Sequence, residues 1–288
     1  VPQQAKLGLI DLWCARSDAR YLRVARAQWL NFGRPRVFPA DDEGMFEAPR
    51  PFSRELFIAS IPNAKILPGN LMLLTRDNEL LVEGVLNNAQ MQLHKSRLIR
   101  TVADDGRVLL EIPNKSLKVN ESLCYLGSAN DYFGWVYECV GRMWIIGQQP
   151  DLANLPMLVS GSLTEWQLEL LKLAGIAEGR IVRVPDEAVV SCTMVHVPSN
   201  PVVGWFVAPM VVEYLRRSLG RHVLATKGGR RRLFFGSNAR DVGKISNERE
   251  IWSLLEKRGF ERIVPSEMSI EELCSCIAGA EMVIGPEN

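Results

Sequence analysis

The stretch RLFFGSNARDVGKISNEREIWSLLEKRGFERIVPSEMSIEELCSCIAGAEMVIGP, residues 232–286, decides the fold. Leu233–Gly236 is a short apolar run, and Asn247–Gly259 carries helical spacing closed by a glycine. Arg262–Val264 is a second run, Ser269–Ala278 reads as a capped helix, and Met282–Ile284 is a third run that ends in Gly-Pro. Strand–helix–strand–helix–strand at this spacing predicts a parallel sheet with right-handed crossovers. Ligands of such sheets bind outside the carboxyl ends of the strands. Two such ends fall at Gly236–Asp241 and Gly285–Asn288, and they are expected to meet.

Working upstream, the pattern stays α/β. Met157–Val159, helix 164–174, Arg180–Val184, strand 193–197 and helix 207–219 alternate in the same manner. Before them, Asp131 opens a helix with Trp135, Cys139, Met143 and Ile146 on one face. Earlier still, Phe57–Ile61, Ala64–Leu67, Leu71–Thr75, Leu80–Glu83 and Val108–Ile112 read as a strand meander, broken by Pro-Asn, Pro-Gly-Asn and Asp-Asn turns. Residues 5–32 fit no single period. Prolines 35, 39, 49 and 51 make 34–54 a loop or an extended approach. A chain of 288 residues exceeds the usual growth of one core, which predicts two lobes and a cleft between them. The division falls at 1–215, a meander followed by α/β, and 216–288, the beginning of a second lobe. The start at Val1 reads as a cut, and so does the end at Asn288, which leaves the second lobe incomplete.

Composition narrows the function. Apolar residues make up 47% and charged ones 23%, ordinary values for a chain that folds throughout. With 34 basic against 33 acidic side chains there is no whole-molecule attraction to nucleic acid. Apolar runs stop well short of the ~20 residues of a membrane span, which leaves at most peripheral association. Cys14, Cys124, Cys139, Cys192, Cys274 and Cys276 are scattered without zinc spacing, and a reducing compartment suits them. Asp41-Asp42 and Asp104-Asp105 read as turns rather than metal ligands. His94, His196 and His222 match no motif and read as structural or surface groups.

The loop Ser237-Asn-Ala-Arg240-Asp-Val-Gly-Lys244 carries two cations and runs into a helix starting at Asn247. Charged donors and free helix-start N–H groups suit a diphosphate, although a solvated connection would look similar. No Walker sequence and no complete Gly-x-Gly-x-x-Gly is present.

These blocks resemble glycosyltransferase family 61, which includes capsular-polysaccharide, xylan-decorating and protein O-N-acetylglucosaminyl transferases. The resemblance rests on Arg232–Ser237, Lys244-Ile-Ser-Asn-Glu248, Leu254–Phe260, Met268–Leu273 and Ala278–Pro286 in register. Asp131-Tyr-Phe-Gly-Trp135 with Glu138 and Arg142 is similar to the upstream helix of that family, and the likeness extends over roughly residues 55 to 288. It implies a GT-B fold of two Rossmann-like lobes and metal-independent, inverting transfer without a cofactor. The donor is a nucleotide-sugar and the acceptor a glycan. Donor binding then falls to Ser237, Asn238, Arg240, Lys244, Asn247, Gly285, Pro286 and Glu287, and the acceptor side to Tyr132, Trp135 and Arg142. Glu138 is the first choice for the base and Asp131 the second, with a helical Glu138–Arg142 pair as the bland alternative. Of Tyr132, Phe133 and Trp135, at least one must face the core. Three positions depart from the pattern: Asn238 replaces arginine, and Gly134 and Glu287 replace histidines. A non-catalytic module of a polysaccharide-assembly protein therefore stands as the alternative, and a nucleoside-binding enzyme of another class as a third reading. The expected location is cytoplasmic, with the secretory lumen as the alternative.

Overall fold

The computed structural model describes residues 2–17, 19–30, 52–83, 86, 89–204, 206–221, 231–238 and 246–285. The elements run β1 (Pro2–Leu9), α1 (Ile10–Arg16), β2 (Arg20–Ala25), β3 (Gln28–Trp29), β4 (Phe52–Ser53), β5 (Leu56–Ile66), β6 (Leu73–Leu74) and β7 (Glu79–Glu83). Next come α2 (Ala89–Lys95), β8 (Ile99–Val102), β9 (Arg107–Glu111) and β10 (Lys115–Gly127), a π-helical segment Gly134–Val140, α3 (Arg142–Gly147), β11 (Met157–Ser160), α4 (Glu165–Leu173), β12 (Ile181–Val184) and β13 (Ala188–Pro198). The chain continues through β14 (Val202–Val203), β15 (Phe206–Val207), α5 (Pro209–Gly220), β16 (Arg231–Phe235), α6 (Glu248–Glu256), β17 (Phe260–Ile263), α7 (Ile270–Ala278) and β18 (Ala280–Ile284).

Most strands join one mixed sheet in the order β12-β11-β10-β13-β5-β6-β7-β1-β9-β8, with β2 also on β5. Its organising strand is β10, parallel to both β11 and β13. Successive side chains of a strand point to opposite faces. Leu123 and Tyr125 enter one core with Ile61, Leu73 and Val195, while Cys124 and Leu126 enter the other with Trp135, Val159 and Leu170. A strand covered on both faces needs an unbroken apolar run, and Leu123–Leu126 supplies it.

The expected meander is only part of this sheet. Pro62-Asn63 does not divide two strands: Asn63 takes φ 53, and Ile61, Pro62 and Ala64 all pair with β13. Pairing with a long buried neighbour overrides the local turn signal. The helix after Asp131 begins with a π turn, in which the N–H of Gly141 reaches the carbonyl of Val136 at 2.9 Å. That wider turn rotates the buried face, so Trp135, Cys139, Val140, Ile145 and Ile146 are buried while Met143 is only partly covered.

The C-terminal segment forms the expected parallel sheet, in the order β17-β16-β18. Asn247 precedes α6, and Gly259 at φ 76 ends its helical turn. Ser269 and Glu272 close a reciprocal capping box on α7. A further anchor comes from α4, where the Glu169 carboxylate accepts the N–H groups of Ile270 (3.1 Å) and Glu271 (3.4 Å). Helix-start amides favour an anion, and this one ties the small sheet to the body of the large one. Glu169→Ala is expected to lower stability by about 1 kcal/mol and to speed hydrogen exchange at the Ile270 and Glu271 amides. Exchange within β10 should not change.

Candidate functional site

The residues expected to bind a donor lie at and around the small sheet. From β16 the chain crosses through α6 to β17 on one side and then returns through α7 to β18 on the other. Right-handed crossovers put the two helices on opposite faces, and the direction reverses between β16 and β18. A crevice opens at such a switch point, outside the carboxyl ends of the strands. Phe234 pairs with Ile284, and a Cβ on Gly285 would lie 2.7 Å from the Cβ of Phe235. The two strand tips are adjacent, and glycine is what permits so close an approach.

At the exit of β16, toward α6 and β17, is an open cavity of ≈ 700 Å³ whose lining includes Ser237, Asn238, Asn247, Glu248, Trp252 and Arg262. Three expected donor residues are therefore brought together. Arg240, Lys244, Pro286 and Glu287 lie outside the described residues.

Two residues that the sequence reading missed dominate this cavity. Glu248, the first residue of α6, accepts the backbone N–H of Ser237 at 3.1 Å and also its hydroxyl. Arg262, near the end of β17, donates to Glu248 Oε1 at 2.8 Å and to the carbonyl of Ser237 at 2.8 Å. The hydrogen bond from Ser237, followed by the Arg262 guanidinium, holds the Glu248 carboxyl below its ordinary range. The donors expected of Ser237 toward a phosphate are thus engaged within the chain. Gly236 was the available signal, since a side chain there would collide with the Arg262 guanidinium. Asn238 donates to Ser266 Oγ at 2.9 Å.

The acceptor-side residues share one helix but not one environment. Asp131 is exposed, and its Oδ1 accepts the N–H of Gly134 at 2.7 Å, closing the helix start. Tyr132 is 47% exposed and lies against Trp166 with ring centroids 5.7 Å apart. Trp135 is fully buried, packed edge-on to Trp166 at 6.5 Å, so it is the ring that faces the core and it cannot stack on a sugar. Arg142 is 2% exposed, which corrects its expected place on an acceptor surface. Its guanidinium donates to the carbonyls of Leu126 (2.8 Å) and Pro198 (3.3 Å) and lies 5.2 Å from the Tyr125 ring centroid. A buried cation must be solvated by the fold, and two strand-end carbonyls and a ring do that here. Gly127 clears the space, because a Cβ there would stand 2.5 Å from Arg142 Nη1.

Glu138 is half-buried on the π-helical segment and accepts the side-chain N–H of Asn200 at 2.8 Å. Nearby Cys139 is pushed up to about 12 by burial. At Gly134, a Cβ would lie 2.8 Å from the Cβ of Ala129 and 3.1 Å from Asp131 Oδ2. A histidine there requires the 129–131 loop to open. Among the remaining histidines, His196 lies in β13 against Ser60 at 2.9 Å, and burial lowers its proton affinity.

A family model, Glycosyltransferase 61, matches residues 132–288, more than half of the chain, including the small sheet and the helix from Tyr132 onward. The chain belongs to glycosyltransferase family 61. A search of curated proteins returned no significant match. Family membership makes this a glycosyltransferase, which takes a donor and an acceptor. Its described residues form a mixed α/β structure around a large central sheet, and none of their helices is long and apolar enough to cross a membrane.

The brace at the donor tip gives a pH test. The folded-state pKa of Glu248 lies below its reference value of 4.5, so its contribution to stability is present above that value. It is lost as pH falls through the folded pKa. Glu248→Gln is expected to unfold more easily than the parent near neutrality, by up to about 1 kcal/mol for so open a pair. Chemical denaturation across the acid range should show the difference shrinking to nothing.

Proposed function

We propose that this chain is an inverting, metal-independent transferase that moves a sugar from a nucleotide-sugar to a growing glycan, on a GT-B architecture with its division near residue 215. The observation that carries the reading is the open cavity at the exit of β16, between α6 and β17, with the tip of β18 adjacent to β16, inside the segment that the family model matches. In this reading the diphosphate rests at that tip. Arg240 and Lys244 supply charge, and α6 supplies backbone N–H groups from its first turn. The acceptor hydroxyl attacks the anomeric carbon from the opposite side, the bond to the diphosphate breaks as the new glycosidic bond forms, and Glu138 takes the hydroxyl proton. The leaving anion is met by fixed dipoles and cations. Tyr132 offers an exposed ring for the acceptor. The cytoplasm is the proposed location.

A second reading is favoured by one specific feature. Glu248 already fills the anion-binding groups of Ser237, and Gly134 stands where the family has histidine. A lobe so altered would bind a glycan or a partner without turnover, as a module of a polysaccharide-assembly protein.

Incubation of the protein with a panel of nucleotide-sugars and glycan acceptors, scored by release of nucleotide diphosphate, separates the two readings. Turnover supports the transferase, and its absence together with absent nucleotide binding supports the module. Glu138→Gln is expected to lower kcat by about 10²- to 10⁴-fold with nucleotide diphosphate affinity unchanged. By titration calorimetry, Arg240→Ala and Lys244→Ala should each weaken that affinity by about 1 to 3 kcal/mol. Unchanged affinity in both removes the phosphate role from the loop.

A further inference from the structure

The carboxyl edge of the central sheet continues past β13 to a group of exposed rings that no step above uses. β10 and β13 run in one direction, β5 runs against them, and β2, paired to the start of β5, runs with them again. The end of β2, where Ala25 meets Leu56, therefore lies at the same edge as the end of β13, where the Ser199 N–H reaches the carbonyl of Phe57. Two small sheets extend this edge. Between β2 and β5, strand β3 pairs with β4, setting Gln28 opposite Ser53 and Trp29 opposite Phe52. The β14–β15 pair, which follows β13, lies against β4. Trp29 is 67% exposed, the most of any large apolar side chain among the described residues, and Phe52 is 39% exposed. Their ring centroids stand 5.1 Å apart at an interplanar angle of 60°. Phe206 of β15 is exposed as well, and so are Arg26, Gln28 and Arg54, close to the two rings in sequence. A cross-strand aromatic contact stabilises a short sheet, yet it does not require a tryptophan left in water, and Trp13 and Trp135 of this chain are buried. Neighbouring exposed rings with a polar rim mark a binding surface.

We propose that Trp29 and Phe52 form a stacking subsite for the outer sugars of an extended glycan acceptor. The proposal rests on the glycan-acceptor reading above and deepens it. A sugar ring presents a face of weakly positive C–H bonds, and the face of an aromatic ring is negative, so the two stack whatever the pattern of hydroxyls. Guanidinium and amide groups at the rim are donors for the hydroxyl oxygens. Placement sets the length of the ligand. Along the edge the order is β10, β13, β5 and β2, which makes three strand-to-strand steps of about 4.8 Å each. A glycan whose acceptor hydroxyl reacts at the ends of β10 and β13 reaches Trp29 only through further sugar units. The edge therefore favours a chain over a single sugar.

The test begins with immobilised neutral and acidic oligosaccharides, screened with the full chain and no donor. The retained glycan is then titrated by calorimetry as a length series, from the single sugar upward. Affinity should rise with length, and intermolecular NOEs should join the Trp29 ring protons to sugar C–H protons, with Trp29→Phe supplying the assignment. Trp29→Leu and Phe52→Leu keep apolar bulk and remove the ring face. Each should weaken binding of the longer members by about tenfold and flatten the dependence on length, whereas Trp29→Phe should retain most of it. Absence of any retained glycan, or length-dependent binding that ignores Trp29→Leu, overturns the proposal. So does a Trp29→Leu variant that loses self-association or binding to anionic phospholipid vesicles with its glycan affinity unaltered, which gives the rings to a second copy or to a bilayer. Should the variant fold poorly, missing NOEs at Trp29 in the parent overturn the proposal by themselves. Length-dependent binding through Trp29, without transfer to the bound glycan from any nucleotide-sugar, keeps the subsite and overturns the transferase reading. Transfer whose KM for long acceptors ignores Trp29→Leu does the reverse.

Discussion

The structure depends on the parallel alignment of β10 and β13, two long strands whose pairing runs from Lys115 with Ala188 to Cys124 with His196. On the far side of β13 lies β5, paired from Val190 to Pro198, and β11 adds to β10 at its carboxyl end, from Cys124 to Gly127. Apolar side chains leave β10 alternately into two cores, and the strand ends only when Gly127 turns the chain at φ 113. The placing of Arg142, Glu138 and Asn200 follows from where these strands stop. Arg142 is anchored on the carbonyls of Leu126 and Pro198, at the last turns of the two strands, and the Asn200 amide reaches across to Glu138 just beyond.

The same logic recurs on a smaller scale in the C-terminal sheet. Three parallel strands leave their carboxyl ends on one side, with the tips of β16 and β18 adjacent. There the fold has satisfied its own polar groups first. Ser237, Glu248 and Arg262 form a cluster in which the Ser237 N–H and the Arg262 guanidinium both reach the Glu248 carboxylate. Such a cluster holds the strand exit in one conformation.

The two sheets are joined through α4 and α7. Glu169 offers its carboxylate to the start of α7, and Ile270 is buried in the core that also contains Trp135 and Leu170. Tyr132, at the start of the acceptor-side helix, rests against Trp166 of α4. One helix therefore touches both α7 and the exposed ring of Tyr132.

The sequence by itself determined the C-terminal elements and the capped helices, because period, N-cap and terminal glycine are local signals read within a few residues. It also identified the family, through blocks of residues kept in order. It did not reveal β10, whose first half alternates polar and apolar residues and whose importance lies in partners far along the chain. Nor did it show that Pro62-Asn63 sits inside a strand, that Trp135 and Arg142 turn inward, or that Glu248 and Arg262 close on Ser237. Those outcomes depend on which surfaces meet, since burial and long-range pairing override local preference when a side chain is enclosed on every side. The proximity of Glu138 and Asn200 was decided in the same way, by the sheet that sets two distant strand ends side by side.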